Sequence, residues 1–229
     1  MTTGYDDTRA ALLEAALGHV PFDGWSETTF AAAARDAGIE MDAARRVCPR
    51  GALDLAVAYH RAGDARMEKR LAEADLGEMR FRDRIAAAVR WRLEEVDKEV
   101  VRRSVTLMSL PQHTPECTKL LWETCDKIWT ALGDTSDDIN WYTKRGTLSG
   151  VYSSTVLYWL GDTTPDQRDT WEFLDRRIDN VMQFEKFKAK VRDNPLLRTV
   201  FAGPNWIFGK VRAPRKAPSD LPGRWAPRS

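Results

Sequence analysis

Apolar residues recur at intervals of three and four through nearly the whole chain, with polar residues filling the gaps. Leu12, Leu13, Ala16, Leu17 and Val20 trace one such stripe, so the spacing predicts a first helix over residues 7–19. Pro21-Phe22-Asp23-Gly24 reads as a turn. Ser26 or Thr28 can cap a helix over 30–37 that Gly38 ends, and a short helix over 42–47 halts before Pro49 and Gly51. Longer periodic stretches follow at 53–74, 81–100, 116–132, 138–160 and 165–190. No period-two run rich in β-branched residues stands between turn signals, so no sheet is expected.

Two short helices joined by a glycine-containing turn, after a preceding helix, form a helix-turn-helix pattern. A small head of this kind on a larger helical body resembles the plan of TetR-type regulators, a likeness of fold alone. The expectation is an all-α, TetR-like helical bundle. A helix-turn-helix head would occupy 1–52 and a larger helical body 53–192. An amphipathic helix over 193–213 and a Pro-rich, disordered tail over 214–229 would follow.

Charge changes what the head can do. Through position 60 there are nine acids and five arginines, with no lysine, for a net −4. DNA affinity rests on phosphate neutralisation, and this field repels phosphate. The candidate recognition helix, Asp42-Ala43-Ala44-Arg45-Arg46-Val47, opens with an acid and offers no Asn, Gln or Ser for base edges. A regulator fold without DNA chemistry is the reading favoured; a ligand-responsive regulator of the TetR type is the alternative.

From Lys186 to the end the charge is +9, although the whole chain of 229 residues carries only +1. The segment between Pro195 and Arg212 concentrates an apolar face within this basic region. On a helical wheel Leu197, Val200, Phe201, Ile207, Phe208 and Val211 fall in an arc of about 120°, and the register survives Gly203-Pro204. Phe and Ile on one face with Lys and Arg around them compose a helix lying in lipid headgroups. The competing reading docks the same face on the body as a last core helix.

The remaining chemistry is sparse. Cys48, Cys117 and Cys125 are odd in number and lack metal-ligand spacing, which points to a reducing compartment without a disulfide framework. His19, His60 and His113 stand far apart and read as structural residues. The chain shows no phosphate loop, nucleophile–base set or paired catalytic carboxylates, so neither catalysis nor a cofactor or metal is expected. The acidic N-terminus is unlike a secretory or transit peptide, and no run reaches the roughly 18 apolar residues of a membrane span.

One block stands apart. Gly133 to Arg145 opens as a helix start, with a glycine stop, Asp, Thr and Ser caps and an acidic first turn. It then places Trp141 beside Tyr142, followed by Lys144 and Arg145. Successive helical residues point about 100° apart, so both rings cannot share one narrow core stripe. Either one ring fills the core while the other lies along a neighbouring helix, or the pair anchors a binding surface with its arginine.

These residues carry a resemblance to the Coq-nine family, accessory proteins of ubiquinone biosynthesis, over most of the chain to about Lys190. It is strongest in Val20-Pro21-Phe22-Asp23-Gly24-Trp25, Cys48-Pro49-Arg50-Gly51, Met108-Ser109-Leu110-Pro111 and Gly133 through Arg145. It continues through Val151-Tyr152-Ser153-Ser154-Thr155 and Asp169-Thr170-Trp171-Glu172-Phe173-Leu174-Asp175-Arg176-Arg177-Ile178, and the Asn140–Arg145 stretch is its most specific part. The resemblance implies a non-catalytic homodimer, without DNA binding, whose hydrophobic pocket takes an isoprenoid quinone lipid. It also implies a protein on the cytoplasmic side, peripheral to the inner membrane, held there by a terminal amphipathic helix. Its lipid would be presented to a Coq-seven-type di-iron hydroxylase of demethoxyubiquinone. The family's docking surface maps here onto Asp138, Trp141, Tyr142 and Arg145. Trp122, Trp129, Leu148, Val156, Leu157 and Trp159 could wall the pocket, and any one of them fits a closed core equally well. Gly203-Pro204 departs from the family where its membrane helix is expected, and Trp206 falls opposite the apolar stripe.

Overall fold

The computed structural model describes the backbone of residues 2–193 and the side chains of residues 4–183. The anticipated membrane-facing set, Leu197, Val200, Phe201, Ile207, Phe208 and Val211, lies outside the described residues. Among those residues there is no strand, and the architecture is all-α.

Four helices form the head: α1 (Thr2–Leu17), α2 (Val20–Asp23), α3 (Glu27–Asp36) and α4 (Met41–Val47). The apolar positions legible in the sequence, Leu12, Ala16, Phe30, Ala33, Ala44 and Val47, converge in one core. Ser26 caps α3 by accepting from the Thr29 N–H at 3.2 Å. Gly38, at φ 65°, then reverses the chain into α4, with Ile39 N–H donating to the Ala34 carbonyl at 2.9 Å. Arg45 pairs with Glu27 within the head, whereas Arg50, just after α4, pairs with Asp54 and Glu116 of the body.

The body comprises α5 (Ala52–Glu73), α6 (Phe81–Glu94), α7 (Lys98–Met108), α8 (Thr114–Ala131), α9 (Ile139–Gly161) and α10 (Arg168–Asp193). A second core gathers Met67, Val89, Leu93, Ile128, Leu148 and Trp159, with Leu174 and Ile178 closing it from α10. No helix among the described residues is long and apolar enough to cross a membrane.

The helix expected over 81–100 is in fact two. Asp97 stops continuation by capping α7, its carboxylate accepting from Val100 N–H at 2.9 Å. The Asp97 N–H in turn donates to the Tyr59 hydroxyl at 2.8 Å. The break lets α7 turn beneath the head. There Trp25 Nε1 donates to Ser104 Oγ at 2.8 Å, and Arg103 donates to the Pro21 carbonyl at 2.7 Å.

Candidate functional site

The loop between α8 and α9 explains the Trp-Tyr-x-Lys-Arg block. α8 ends in a Schellman turn: Gly133 at φ 81° donates to the Thr130 carbonyl at 3.0 Å, and Asp134 to the Trp129 carbonyl at 2.9 Å. That turn fixes the Asp134 side chain, only 2% exposed, between two cations. Lys144 Nζ donates to it at 2.7 Å and Arg145 Nη1 at 2.9 Å, while Arg145 Nε donates to Asp126 at 2.6 Å. Burial opposes charge on Asp134, but Lys144, Arg145 and Ser136 together outweigh it and hold its pKa down at about 2.

The two cations carry the aromatics. Arg145 lies 4.1 Å from the Trp141 ring centroid, and Lys144 lies 5.2 Å from that of Trp129. Trp141 meets Tyr142 edge-on at 4.8 Å, and Trp122 from α8 approaches both, at 5.7 and 6.3 Å. Both Trp141 and Tyr142 remain partly exposed. Asp138 is exposed at the start of α9 and caps it, accepting from Asn140 N–H at 2.9 Å. Arg145 differs from the surface cation its sequence position suggests: its side chain is 2% exposed. The structure thus brings Asp138, Trp141 and Tyr142 to one end of α9 and sets Arg145 under them.

A second feature is a half-open cavity of ≈ 250 Å³ lined by α5 to α9. Its walls are mainly apolar, with Leu93, Val101, Val105, Leu121, Val156 and Leu157 among them. Of the anticipated wall residues only Val156 and Leu157 face it. Trp159 is 1% exposed in the body core, Trp122 belongs to the aromatic cluster, and Trp129 and Leu148 line a separate cleft of ≈ 220 Å³ beside Phe81 and Met182.

One end of the cavity is polar, and sequence reasoning missed it. Arg92 from α6 donates through Nε to Asp64 at 2.6 Å and through Nη2 to the His60 carbonyl at 2.9 Å. Thr124 Oγ1 contacts Asp64 at 3.0 Å and His60 Nε2 at 2.8 Å. Gly63 leaves room for this assembly, since a Cβ there would stand 2.6 Å from Arg92 Nη1. Burial first, then the Arg92 charge, push the His60 pKa down to about 4. The signal was present: His60 and Asp64 are four apart, on one face of a predicted helix, with Gly63 between.

Comparison with known proteins adds to this geometry. The sequence model of the COQ9 family matches residues 114–185, which span α8, α9 and the first part of α10. The chain is 34% identical over 190 residues to "Ubiquinone biosynthesis protein COQ9, mitochondrial" of Rattus norvegicus, covering 79% of this chain and 61% of that protein. The proteins of the same name in Homo sapiens and Drosophila melanogaster are 31% and 32% identical, with 79% of this chain and 59% and 57% of theirs covered. The chain therefore spans about three fifths of the length of these relatives. In fold it is similar to a TetR transcriptional regulator from Nitrosomonas europaea ATCC 19718, with a TM-score of 0.62 at 20% identity, covering 75% of this chain and 95% of that one. By sequence the chain matches the COQ9 family, and by fold it is an all-α, TetR-like scaffold.

Proposed function

We propose that the protein is a non-catalytic accessory factor of ubiquinone biosynthesis. It takes an isoprenoid quinone intermediate into the body cavity, works as a homodimer at a membrane surface, and presents the lipid to a Coq-seven-type di-iron hydroxylase. The observation that carries this reading is the cavity itself, apolar along its walls and polar at one end, in a chain whose relatives are named for ubiquinone biosynthesis. A polyprenyl chain drawn into water exposes apolar area at about 25 cal/mol per Å². A protein that lies on the bilayer and shields the chain avoids that cost.

The aromatic end of α9 supports the docking role. Trp141 and Tyr142 are partly exposed rings held from beneath by buried charges, the composition and rigidity of an interface anchor. Asp138 stands beside them as an exposed carboxylate, and Arg145 acts as their support. The basic, apolar-faced segment 195–212 supplies the membrane contact in this proposal. A regulator's role fits less well, because the head is acidic and Glu27 already engages one of the two arginines of α4.

Two measurements test the reading. Mass spectrometry of lipid extracted from the purified chain should detect a quinone or isoprenoid; a chain that carries neither when isolated from a ubiquinone-producing host would overturn it. Trp141→Lys should leave the circular dichroism spectrum and melting temperature unchanged and reduce hydroxylase pull-down by at least about tenfold, the loss of one hot-spot residue. Retained pull-down by a folded variant removes the α9 docking surface.

A further inference from the structure

We propose that the basic segment 194–213 docks on its own body when no membrane is present, seating Phe208 in the cleft between α6, α8, α9 and α10. Cleft and bilayer then compete for one apolar face, so the consequence for membrane binding rests on the reading of that segment as the membrane contact. The cleft, of ≈ 220 Å³, takes its apolar walls from Phe81, Ile85, Trp129, Leu148, Ile178 and Met182. Two of these are large side chains left in water, Phe81 at 46% exposure and Met182 at 37%. Apolar space of about 150 Å³ accepts a benzene-sized ring, so this cleft has room for one phenylalanine and a smaller neighbour.

The walls offer nothing to an anionic head group. Among the described residues Lys144 is the one charged side chain on them, and its Nζ already donates to Asp134 and to Ser136 Oγ, at 2.7 Å each. The edge of the cleft is acidic instead. Arg82 and Asp179 follow Phe81 and Ile178 in the chain, and there Asp83, Asp175 and Asp179 share two guanidiniums, those of Arg80 and Arg82. Asp175 and Asp179 keep about half of their side-chain surface in water. The neighbouring cations turn elsewhere, Arg176 toward Glu172 at 3.9 Å and Arg177 over the Phe173 ring at 5.2 Å. An apolar side chain flanked by cations complements this arrangement.

The chain supplies such a side chain within reach. α10 ends at Asp193, and Pro195 disfavours helical backbone at Asn194. A loop of about three residues, 194–196, closes an αα-hairpin. Leu197 then stands level with Asp193, and Phe208, eleven positions further on, level with Met182, eleven positions back. In the same register Lys210 falls within a turn of Asp179, and Arg212 within a turn of Asp175. The wider charge agrees, at +9 from Lys186 onward against −8 in the remainder. Because the segment is tethered, the cleft meets it at an effective concentration on the order of millimolar. Only the undocked fraction is free for a bilayer, so docking lowers the apparent affinity for lipid by that fraction.

The experiment uses the full chain with p-benzoylphenylalanine in place of Phe208 and maps its photocrosslinks by mass spectrometry. It is run with and without phosphatidylcholine vesicles that contain phosphatidylserine. Without vesicles the crosslinks should fall on residues 81–85 and 178–182 of the same chain, and adding vesicles should remove them. In the otherwise native chain, Thr147→Trp, which fills the cleft from α9, should raise vesicle affinity at least about threefold with an unchanged melting temperature. Met182→Gln, which removes an exposed apolar contact without adding charge, should shift affinity in the same direction. Absence of cleft crosslinks, crosslinks confined to a species of twice the chain's mass, or unchanged vesicle affinity in both variants overturns the docking and leaves the membrane contact standing. Cleft crosslinks in a chain that binds no vesicles overturn the membrane reading and leave the docking.

Discussion

His60 is a single side chain whose surroundings set how the fold answers acid. Burial and the nearby Arg92 guanidinium hold its pKa near 4, against 6.5 for an ordinary histidine. As pH falls below 6.5 the unfolded chain therefore gains this proton first, and the folded chain gains it only near 4. The His60 contribution to stability is constant above about pH 7 and declines between 6.5 and 4. Asp134, held at about 2, adds to the loss at still lower pH, below its ordinary 3.8. Urea midpoints at pH 7.5, 6.0 and 5.0 should fall in that order, and His60→Gln should flatten the decline. Equal slopes in variant and parent would show that His60 is not the responsible group.

At the scale of the element, the α8–α9 turn works as one unit, and removing its central charge tests that. Asp134→Asn takes the carboxylate from two cations at once, and Arg145 keeps only Asp126. Leaving a buried guanidinium half-compensated should cost about 2–3 kcal/mol, read as a shift in denaturation midpoint with an unchanged slope. The Trp141 ring, stacked on that guanidinium, should at the same time show altered fluorescence. This element also marks what the sequence could convey. The glycine stop and the helix after it are local features and were legible, but the cap is Asp138, later than the Asp, Thr and Ser that the sequence offered, and the first turn holds no acid. The burial of Arg145 was not legible, since Asp126 comes from the preceding helix and Asp134 from the turn between. The polar end of the cavity was hidden for the same reason: Arg92 and Asp64 are 28 positions apart and meet only after α5 and α6 pack. The split between α6 and α7 was local, and Asp97 was the cap that the apolar periodicity through Val96 and Val100 concealed.

For the whole molecule, the distribution of charge is the decisive property. A chain with a net +1 carries +9 from Lys186 onward, so the remainder carries −8. A remainder of that charge is repelled by anionic lipid, so in the proposed membrane contact the basic segment supplies the attraction. Each lysine or arginine near such a surface contributes about 1 kcal/mol, and in the same proposal the apolar positions of 195–212 would add burial in the headgroup region. Deleting residues 194–229 should therefore abolish co-sedimentation with vesicles containing phosphatidylserine, while the helical content of the body and quinone titration are retained. Full-length chain should lose part of its vesicle binding between 50 and 500 mM salt, as the Debye length contracts from roughly 14 to 4 Å, and keep the part due to apolar insertion. Binding that vanishes completely at high salt would make the contact purely electrostatic and remove the amphipathic helix from it. Vesicle binding by the truncated chain would move the membrane contact onto the acidic body, which its charge opposes.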